Sequence, residues 1–316
     1  MILIRNLKLF LILIFMNFIS AELSYGFIEK TSLLNQDNER IIQIYYPKII
    51  EINDDTKFII INDGEELFSE SDSWHGGAWN IDDSFLELTK QGIDLNLVVI
   101  AINSAKRNKG KIIDETRRYA EYFPNESIAY FEQGFKKNTY SYFIDRDELN
   151  YPKFLIENVI PFVEAKLNIE LNQSNLGIIG ASMGALSALN TVIEYPEYFG
   201  FLGCISTHWV GIMPSEYLLI PFRREVLISG DKETTLAIQK YVKTNLAKLK
   251  NKKIYFDHGT VGLDSLYGYP QKEIDEILES GEIIFQTKSF PGHDHETNFF
   301  GERFGPMVHY LLYSDK

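Results

Sequence analysis

The chain has 316 residues, of which 45% are hydrophobic and 14% are aromatic, and this is enough apolar material to bury the core of a globular domain. Its formal net charge at pH 7 is −13. A surface with that excess of carboxylates repels phosphate backbones and anionic lipid, which argues against a protein that binds nucleic acid.

The first 21 residues have the pattern of a secretory signal peptide. Arg5 and Lys8 precede an apolar run over Leu9–Ile19, and the small residues Ser20 and Ala21 follow it. The run is shorter than the roughly twenty apolar residues of a membrane anchor, so we expect cleavage after Ala21 and no stable membrane insertion. Loss of the two basic residues changes the net charge from −13 to −15. The sequence therefore predicts an exported protein, either periplasmic or secreted.

Residues 22–316 are predicted to form a single domain in which strands alternate with helices. The predicted strands are Arg40–Tyr46, Lys57–Ile61, Asn96–Ile102, Asn175–Ile179, Phe201–Ile205, Lys253–Asp257 and Gly281–Ser289. The predicted helices are Ile81–Lys90, Tyr151–Leu167, Gly184–Glu194, Thr234–Leu249 and Gln271–Leu278. The strands that begin near Phe58 and Leu97 are apolar on both faces, which is typical of a sheet covered on both sides. The pattern predicts an α/β fold, a three-layer α/β/α sandwich with a mostly parallel central sheet.

A Gly-x-Ser-x-Gly motif, formed by Gly180, Ser182 and Gly184, lies between a predicted strand and a predicted helix. In α/β-hydrolases this context produces a nucleophile elbow, a strained turn that projects the serine hydroxyl, and the glycines avoid collisions across the tight bend. The helix N-terminus also directs backbone N–H groups toward developing negative charge. We therefore predict that Ser182 is the nucleophile of an acyl-transfer reaction.

A serine nucleophile needs a histidine base and an acid, which in this fold follow in the order Ser, Asp, His. The loop after the last predicted strand contains His293 and His295, and spacing alone does not choose between them. Asp264 follows another predicted strand and is the first candidate for the acid. Asp257, at the end of that strand, is the second candidate, and Asp231 is the third.

The oxyanion of the reaction needs two backbone donors. One is expected from Met183, directly after the nucleophile, and the other from the loop around Gly64. The mechanism requires no cofactor and no metal, and the pair His293 and His295 lacks a recognisable third ligand. The single cysteine, Cys204, lies in an apolar stretch and is predicted to belong to the core.

Several further segments accompany the elbow. They are Asn62–Phe68, Ala78–Trp79 with Asp82, Asn103, Arg118–Pro124, Ser206–Trp209, Asp257–Thr260, and His295 with Arg303. Together with the elbow they resemble the putative esterase family of the α/β-hydrolases, which contains esterase D and enterochelin esterase-like proteins. The resemblance runs from about Arg40 to the C-terminus. It departs at Asn62, where many relatives have His, and at Ala181 and Ala185, where Ser and Gly are common.

This resemblance implies roles for individual residues. Near the C-terminus, the relatives have one His followed by an acidic or amide pair, an aromatic residue and an Arg. His295 with Glu296, Phe300 and Arg303 fits that pattern better than His293 does. The resemblance also implies that Asp264 holds the acid position, although some relatives of the enterochelin esterase type look like Ser-His dyads.

The expected activity is hydrolysis of a carboxylic ester, carried by a small molecule or linked to a glycan. An acyltransferase on the same fold is an alternative, because only the acyl acceptor differs. A second alternative is a non-catalytic exported binding protein whose aromatic residues Trp74, Trp79, Trp209 and Tyr267 stack on a ligand. Neither the identity of the ester nor the oligomeric state follows from the sequence.

Overall fold

A computed structural model describes residues 23–35, 38–48, 50–74, 76–105, 112–144, 147–212 and 228–314. The predicted signal peptide, residues 1–21, lies outside the described residues, and so does His75. Cleavage after Ala21 therefore stays a prediction. In the described part of the chain, no helix is both long enough and apolar enough to cross a membrane.

An eight-stranded sheet forms the centre of the molecule. Its strands are β1 (Phe27–Asn35), β2 (Asn38–Tyr46), β3 (Lys57–Asn62), β4 (Leu97–Ile102), β5 (Leu176–Ala181), β6 (Phe201–Ile205), β7 (Lys253–Gly259) and β8 (Phe285–Phe290). The order across the sheet is β1-β2-β4-β3-β5-β6-β7-β8. The pairs β1–β2 and β2–β4 are antiparallel, and all other pairs are parallel.

Helices cover both faces of this sheet. They are α1 (Ile81–Lys90), α2 (Ile112–Tyr122), α3 (Phe135–Phe143), α4 (Tyr151–Phe154), α5 (Ile160–Leu167), α6 (Met183–Glu194), α7 (Lys232–Thr244), α8 (Gly268–Ser280) and α9 (Thr297–Val308). A π-helical turn over Leu155–Val159 joins α4 to α5.

The central strands are apolar on both faces because each face packs against its own layer of helices. In β3, Phe58 and Ile60 belong to one buried cluster, which includes residues of α6 and α8. Ile59 and Ile61 point the other way and pack in a second cluster with residues of α1 and α9. The predicted three-layer α/β/α sandwich with a mostly parallel sheet is confirmed.

The structure differs from the predicted elements at several positions. Strand β1 was not predicted, because it lies at the edge of the sheet and leaves Phe27 and Leu34 exposed, so its sequence shows no clear burial pattern. Helices α2, α3 and α9 were also missed. The strand predicted to start at Gly281 begins only at Phe285, since Gly281 ends α8 and Glu282 adopts a left-handed conformation with φ 57°.

A buried ion pair fastens β2 to the helix layer. The guanidinium of Arg40 in β2 donates a hydrogen bond to the Glu121 carboxylate in α2, and both side chains are almost completely shielded from solvent. Arg40 also donates to the carbonyl oxygen of Asn103 at 3.3 Å, and Arg117 donates to Glu121 at 2.8 Å. Each charge depends on the other, because an unpaired ion at this depth has no water to replace its partner.

We expect Glu121→Gln to lower the free energy of unfolding by about 3–5 kcal/mol, the usual cost of breaking a buried pair from one side. The double variant Arg40→Met with Glu121→Leu should recover much of that loss, because no buried charge is then left unpaired: Arg117, which also loses Glu121, is 30% exposed and can be hydrated. Urea denaturation of the three proteins at pH 7 measures both effects. A loss below about 1 kcal/mol in Glu121→Gln would contradict this interpretation of the pair.

Candidate active site

Ser182 occupies the turn between the end of β5 and the start of α6. Its backbone has φ 57° and ψ −125°, in a region that residues other than glycine rarely adopt. The turn is held by backbone hydrogen bonds: the Ser182 amide donates to Ile205 O at 2.9 Å, and the His208 amide donates to Ser182 O at 3.3 Å. The structure places Ser182 on a strained turn between a strand and a helix, as predicted.

Close approaches explain the two glycines of the motif. A Cβ atom on Gly180 would lie 2.2 Å from the carbonyl oxygen of Gly184, so the bend itself forbids a side chain there. A Cβ atom on Gly184 would lie 2.6 Å from a carboxylate oxygen of Asp63, a residue of the loop after β3. Gly184 therefore lets this loop approach the nucleophile turn.

His295 and Asp264 form a direct pair. The Nδ1 atom of His295 lies 2.6 Å from Oδ1 of Asp264, which is completely buried on the short helical turn after β7. An ionised carboxylate can only accept, so His295 donates its Nδ1–H and leaves Nε2 as an acceptor.

Several donors keep the charge of Asp264 in place. Its Oδ2 atom accepts from Ser206 Oγ at 2.5 Å and from the Gly259 amide at 2.7 Å. Burial by itself raises the pKa of Asp264, but the hydrogen bonds from His295, Ser206 and Gly259 outweigh burial and hold that pKa below its ordinary value. Asp264 is therefore a carboxylate at neutral pH.

Among the described residues, neither of the other two acid candidates contacts His295, although Asp257 shares two donors with Asp264: Ser206 donates to both, and Nη1 of Arg303 also lies 3.5 Å from Oδ2 of Asp264. Oδ1 of Asp257 accepts from Nη1 of Arg303 at 3.1 Å and from the Ser206 amide at 3.4 Å. Burial raises the pKa of Asp257 to about 7 despite this arginine. Asp231 caps α7, where it accepts from the Thr234 amide at 3.1 Å. The structure thus places Asp264, and neither alternative, beside His295.

His293, the alternative base, has apolar and acidic neighbours. Its ring packs against Phe299 in a tilted arrangement, with centroids 4.4 Å apart and planes at 33°, and its Nε2 atom lies 3.7 Å from a carboxylate oxygen of Glu302. Among the described residues, those that line the cavity beside Ser182 include His295 and do not include His293.

A cavity of about 600 Å³ opens beside Ser182. Residues of four segments line it, among them Asp63, Trp79, Arg118, Ser182, His295 and Phe300. Arg118 and Asp63 form a bidentate pair, with Nε–Oδ1 at 2.6 Å and Nη2–Oδ2 at 2.7 Å. Asp63 belongs to the loop around Gly64 that is expected to supply an oxyanion donor, but its pairing with Arg118 was not predicted. Arg118 itself was marked only by its place in a segment that resembles the family.

One of the expected oxyanion donors belongs to the elbow and the other to the loop after β3. Met183 is the first residue of α6, next to Ser182, so its amide belongs to the helix N-terminus. Gly64 packs tightly on β4: a Cβ atom there would lie 2.9 Å from the Ala101 carbonyl carbon and from Oδ1 of Asn103. From the same loop, Asp63 lines the cavity. The two donor roles stay predictions.

The aromatic residues of the binding-protein alternative are mostly part of the core. Trp209 and Tyr267 have no exposed surface, and Trp79 is 4% exposed. Three of the four residues therefore offer a ligand little or no surface to stack on. Cys204 is also buried, as predicted. Within the described ranges, no group of three or more His, Cys, Asp or Glu side chains is arranged to hold a metal ion.

Comparisons with solved structures show the same fold at low sequence identity. A ferulic acid esterase has a TM-score of 0.61 and 14% identity, and the match covers 91% of this chain and 98% of that one. The enterobactin and salmochelin hydrolase IroE has a TM-score of 0.56 and 16% identity, and the match covers 90% of this chain and 96% of that one.

At the level of sequence, YbbA of Bacillus subtilis (strain 168), a protein described as uncharacterized, is 33% identical over 61 residues. The aligned part is 19% of this chain and 24% of YbbA, so the chain matches about a quarter of that relative's length. The family model described as putative esterase matches residues 125–309, which is more than half of the chain. The resemblance seen in the sequence is thereby confirmed, and the chain belongs to the putative esterase family.

Proposed function

We propose that the protein is an exported serine ester hydrolase in which Ser182 is the nucleophile, His295 the base and Asp264 the acid. One observation carries this proposal: His295 Nδ1 lies 2.6 Å from Asp264 Oδ1, and His295 shares a cavity with Ser182. The membership of the chain in an esterase family supports an ester as the substrate.

Acylation begins when Ser182 Oγ attacks the carbonyl carbon of the ester and forms a carbon–oxygen bond. The serine proton passes to His295 Nε2, which can accept it because Nδ1 already donates to Asp264. When the tetrahedral intermediate collapses, the bond to the alcohol oxygen breaks. His295 returns the proton to that oxygen, and the acyl group stays on Ser182.

Deacylation repeats these steps with water. His295 takes a proton from the water molecule, whose oxygen attacks the acyl carbon, and the released Ser182 oxygen recovers a proton from His295. Throughout the cycle the Asp264 carboxylate stabilises the imidazolium. The amides of Met183 and of the loop around Gly64 would hold the oxyanion at the N-terminus of α6.

The substrate is proposed to be a small-molecule or glycan-linked ester. A cavity of about 600 Å³ is in the range that accommodates drug-sized molecules. The names of the similar structures point to different esters, ferulic acid in one case and enterobactin and salmochelin in the other. A fold shared at this identity does not choose between them.

The first prediction concerns the nucleophile and the base. Ser182→Ala and His295→Ala should each lower kcat/KM for p-nitrophenyl acetate and butyrate by at least about 10³-fold, because both groups take part in every proton transfer. His293→Ala should stay within about threefold of the wild type, since His293 packs outside the cavity.

Release of p-nitrophenol measures these rates, and chromatography of the acyl product separates hydrolysis from transfer to a sugar hydroxyl. Activity that survives in Ser182→Ala would refute the mechanism. Loss of activity in His293→Ala with retention in His295→Ala would reassign the base.

The second prediction separates the two buried acids. Asp264→Asn should lower kcat by roughly 10³–10⁴-fold, because an amide cannot stabilise the imidazolium and favours the wrong tautomer. Asp257→Asn should cost less than about tenfold, because Asp257 contacts Arg303 and, with a pKa of about 7, is already protonated in about half of the molecules at neutral pH. Steady-state kinetics measure kcat of both variants, and thermal melting shows whether each variant is folded. A larger loss of kcat in Asp257→Asn than in Asp264→Asn would make Asp257 the acid.

The third prediction concerns export, which the N-terminal sequence pattern supports. Mass spectrometry of the protein recovered outside the cytoplasm of a bacterial host should find Glu22 as the first residue. Ala21→Phe should block this processing, because the cleavage site requires small residues, whereas a conservative change in the apolar run, Leu13→Ile, should not. Exported protein that still begins at Met1 would contradict the proposal.

A further inference from the structure

The side chain of His208 is held at both ring nitrogens. Nε2 lies 3.1 Å from the carbonyl oxygen of Gly211, and Nδ1 lies 2.8 Å from the hydroxyl of Tyr267. A carbonyl oxygen only accepts hydrogen bonds, so Nε2 carries the proton of the neutral ring and Nδ1 is the acceptor. The hydroxyl of Tyr267 therefore donates its proton to His208.

Tyr267 in turn packs against His295. The two rings meet edge to face, with centroids 5.5 Å apart and planes at 81°. Phe300 makes a second edge-to-face contact with His295, at 5.0 Å and 84°. The orientation of the His295 ring thus depends on two aromatic neighbours as well as on Asp264, and the orientation of one of those neighbours depends on His208.

His208 and Tyr267 also interact with Ser182, the proposed nucleophile. The backbone amide of His208 donates to Ser182 O at 3.3 Å. Burial raises the pKa of Tyr267 well above its ordinary value, an effect that a hydrogen bond with Ser182 opposes, so the phenol stays protonated next to the nucleophile. Because the phenol proton is directed to His208, Tyr267 does not donate it to Ser182.

We propose that His208 is a positioning residue: by accepting from Tyr267 it holds that ring against His295 and keeps the phenol proton away from the attacking oxygen of Ser182. This inference rests on the proposed function. Among the described residues that line the cavity beside Ser182, neither His208 nor Tyr267 is found. Both are therefore expected to act through Ser182 and His295 and not through contact with the substrate.

The test compares His208→Asn with His208→Leu. The Asn oxygen can stand near the place of Nδ1 and accept from Tyr267, whereas Leu fills more of the ring's volume but offers no acceptor. We expect kcat for p-nitrophenyl butyrate to fall at least roughly tenfold in His208→Leu and to stay within about threefold in His208→Asn. KM should be unchanged in both. A merely space-filling role predicts the opposite order of the two variants, and that order would overturn the proposal.

Tyr267→Phe keeps the test decisive if a His208 variant does not fold, since it removes a single oxygen atom. We expect kcat to fall about fivefold with KM unchanged, and the double variant His208→Leu with Tyr267→Phe to be no slower than His208→Leu alone. The matched control is Tyr241→Phe in α7, which removes another buried hydroxyl, one that donates to Asn190 at 2.7 Å about two turns along α6 from Ser182. A wild-type kcat in Tyr267→Phe would overturn the proposal.

Labelling with a fluorophosphonate separates this inference from the proposed function. Covalent attachment to Ser182 in the wild type, at a rate reduced roughly tenfold in His208→Leu, supports both. Attachment to Ser182 at equal rates in the wild type and in folded His208→Leu overturns the positioning role of His208 but leaves the assignment of Ser182 as the nucleophile unchanged. A wild-type protein that is not labelled at Ser182 refutes the proposed function, and the positioning role fails with it.

Discussion

The buried negative charge of Asp264 is the constraint on which the arrangement of the site depends. A carboxylate without solvent exposure must be surrounded by donors, and here they come from separate parts of the chain. Ser206 follows β6, Gly259 ends β7, and His295 precedes α9. Satisfying this one charge therefore fixes three loops relative to one another at the same edge of the sheet. The orientation of His295 is a consequence of that requirement.

A second constraint acts at the nucleophile, where the backbone of Ser182 is held at φ 57°. Such a conformation persists only when the surrounding structure holds it in place. Here the Ser182 amide donates to the carbonyl oxygen of Ile205 in β6, and the His208 amide donates to the carbonyl oxygen of Ser182. Asp63, also left-handed at φ 59°, comes so close to Gly184 that a side chain there would collide with it. The two left-handed residues thus follow the carboxyl ends of neighbouring parallel strands, Asp63 after β3 and Ser182 after β5.

The parts of the fold that could be predicted from the sequence are those whose burial produces a local pattern of apolar residues. Runs such as β3 and β4, apolar on both faces, can only belong to a covered sheet, and the glycine motif marks one strand end. Edge strand β1 pairs with β2 alone and leaves Phe27 exposed, so it has no such pattern. Helix α9 contains two glycines and Pro306, residues that predict a loop, and its packing against α1 overrides that preference.

The site was less predictable because its pairs join distant residues. Asp257 and Asp264 are both acidic residues near one strand end, and only the contact between Asp264 and His295, which are 31 positions apart, distinguishes them. Arg118 and Asp63 are separated by 55 positions. His208 belongs to Ser206–Trp209, a segment marked only by its resemblance to the family, and its location just after β6 brings its amide to Ser182 and its ring to Tyr267. A residue outside the predicted triad can therefore contact the backbone of Ser182 directly and the ring of His295 through one intervening side chain, Tyr267.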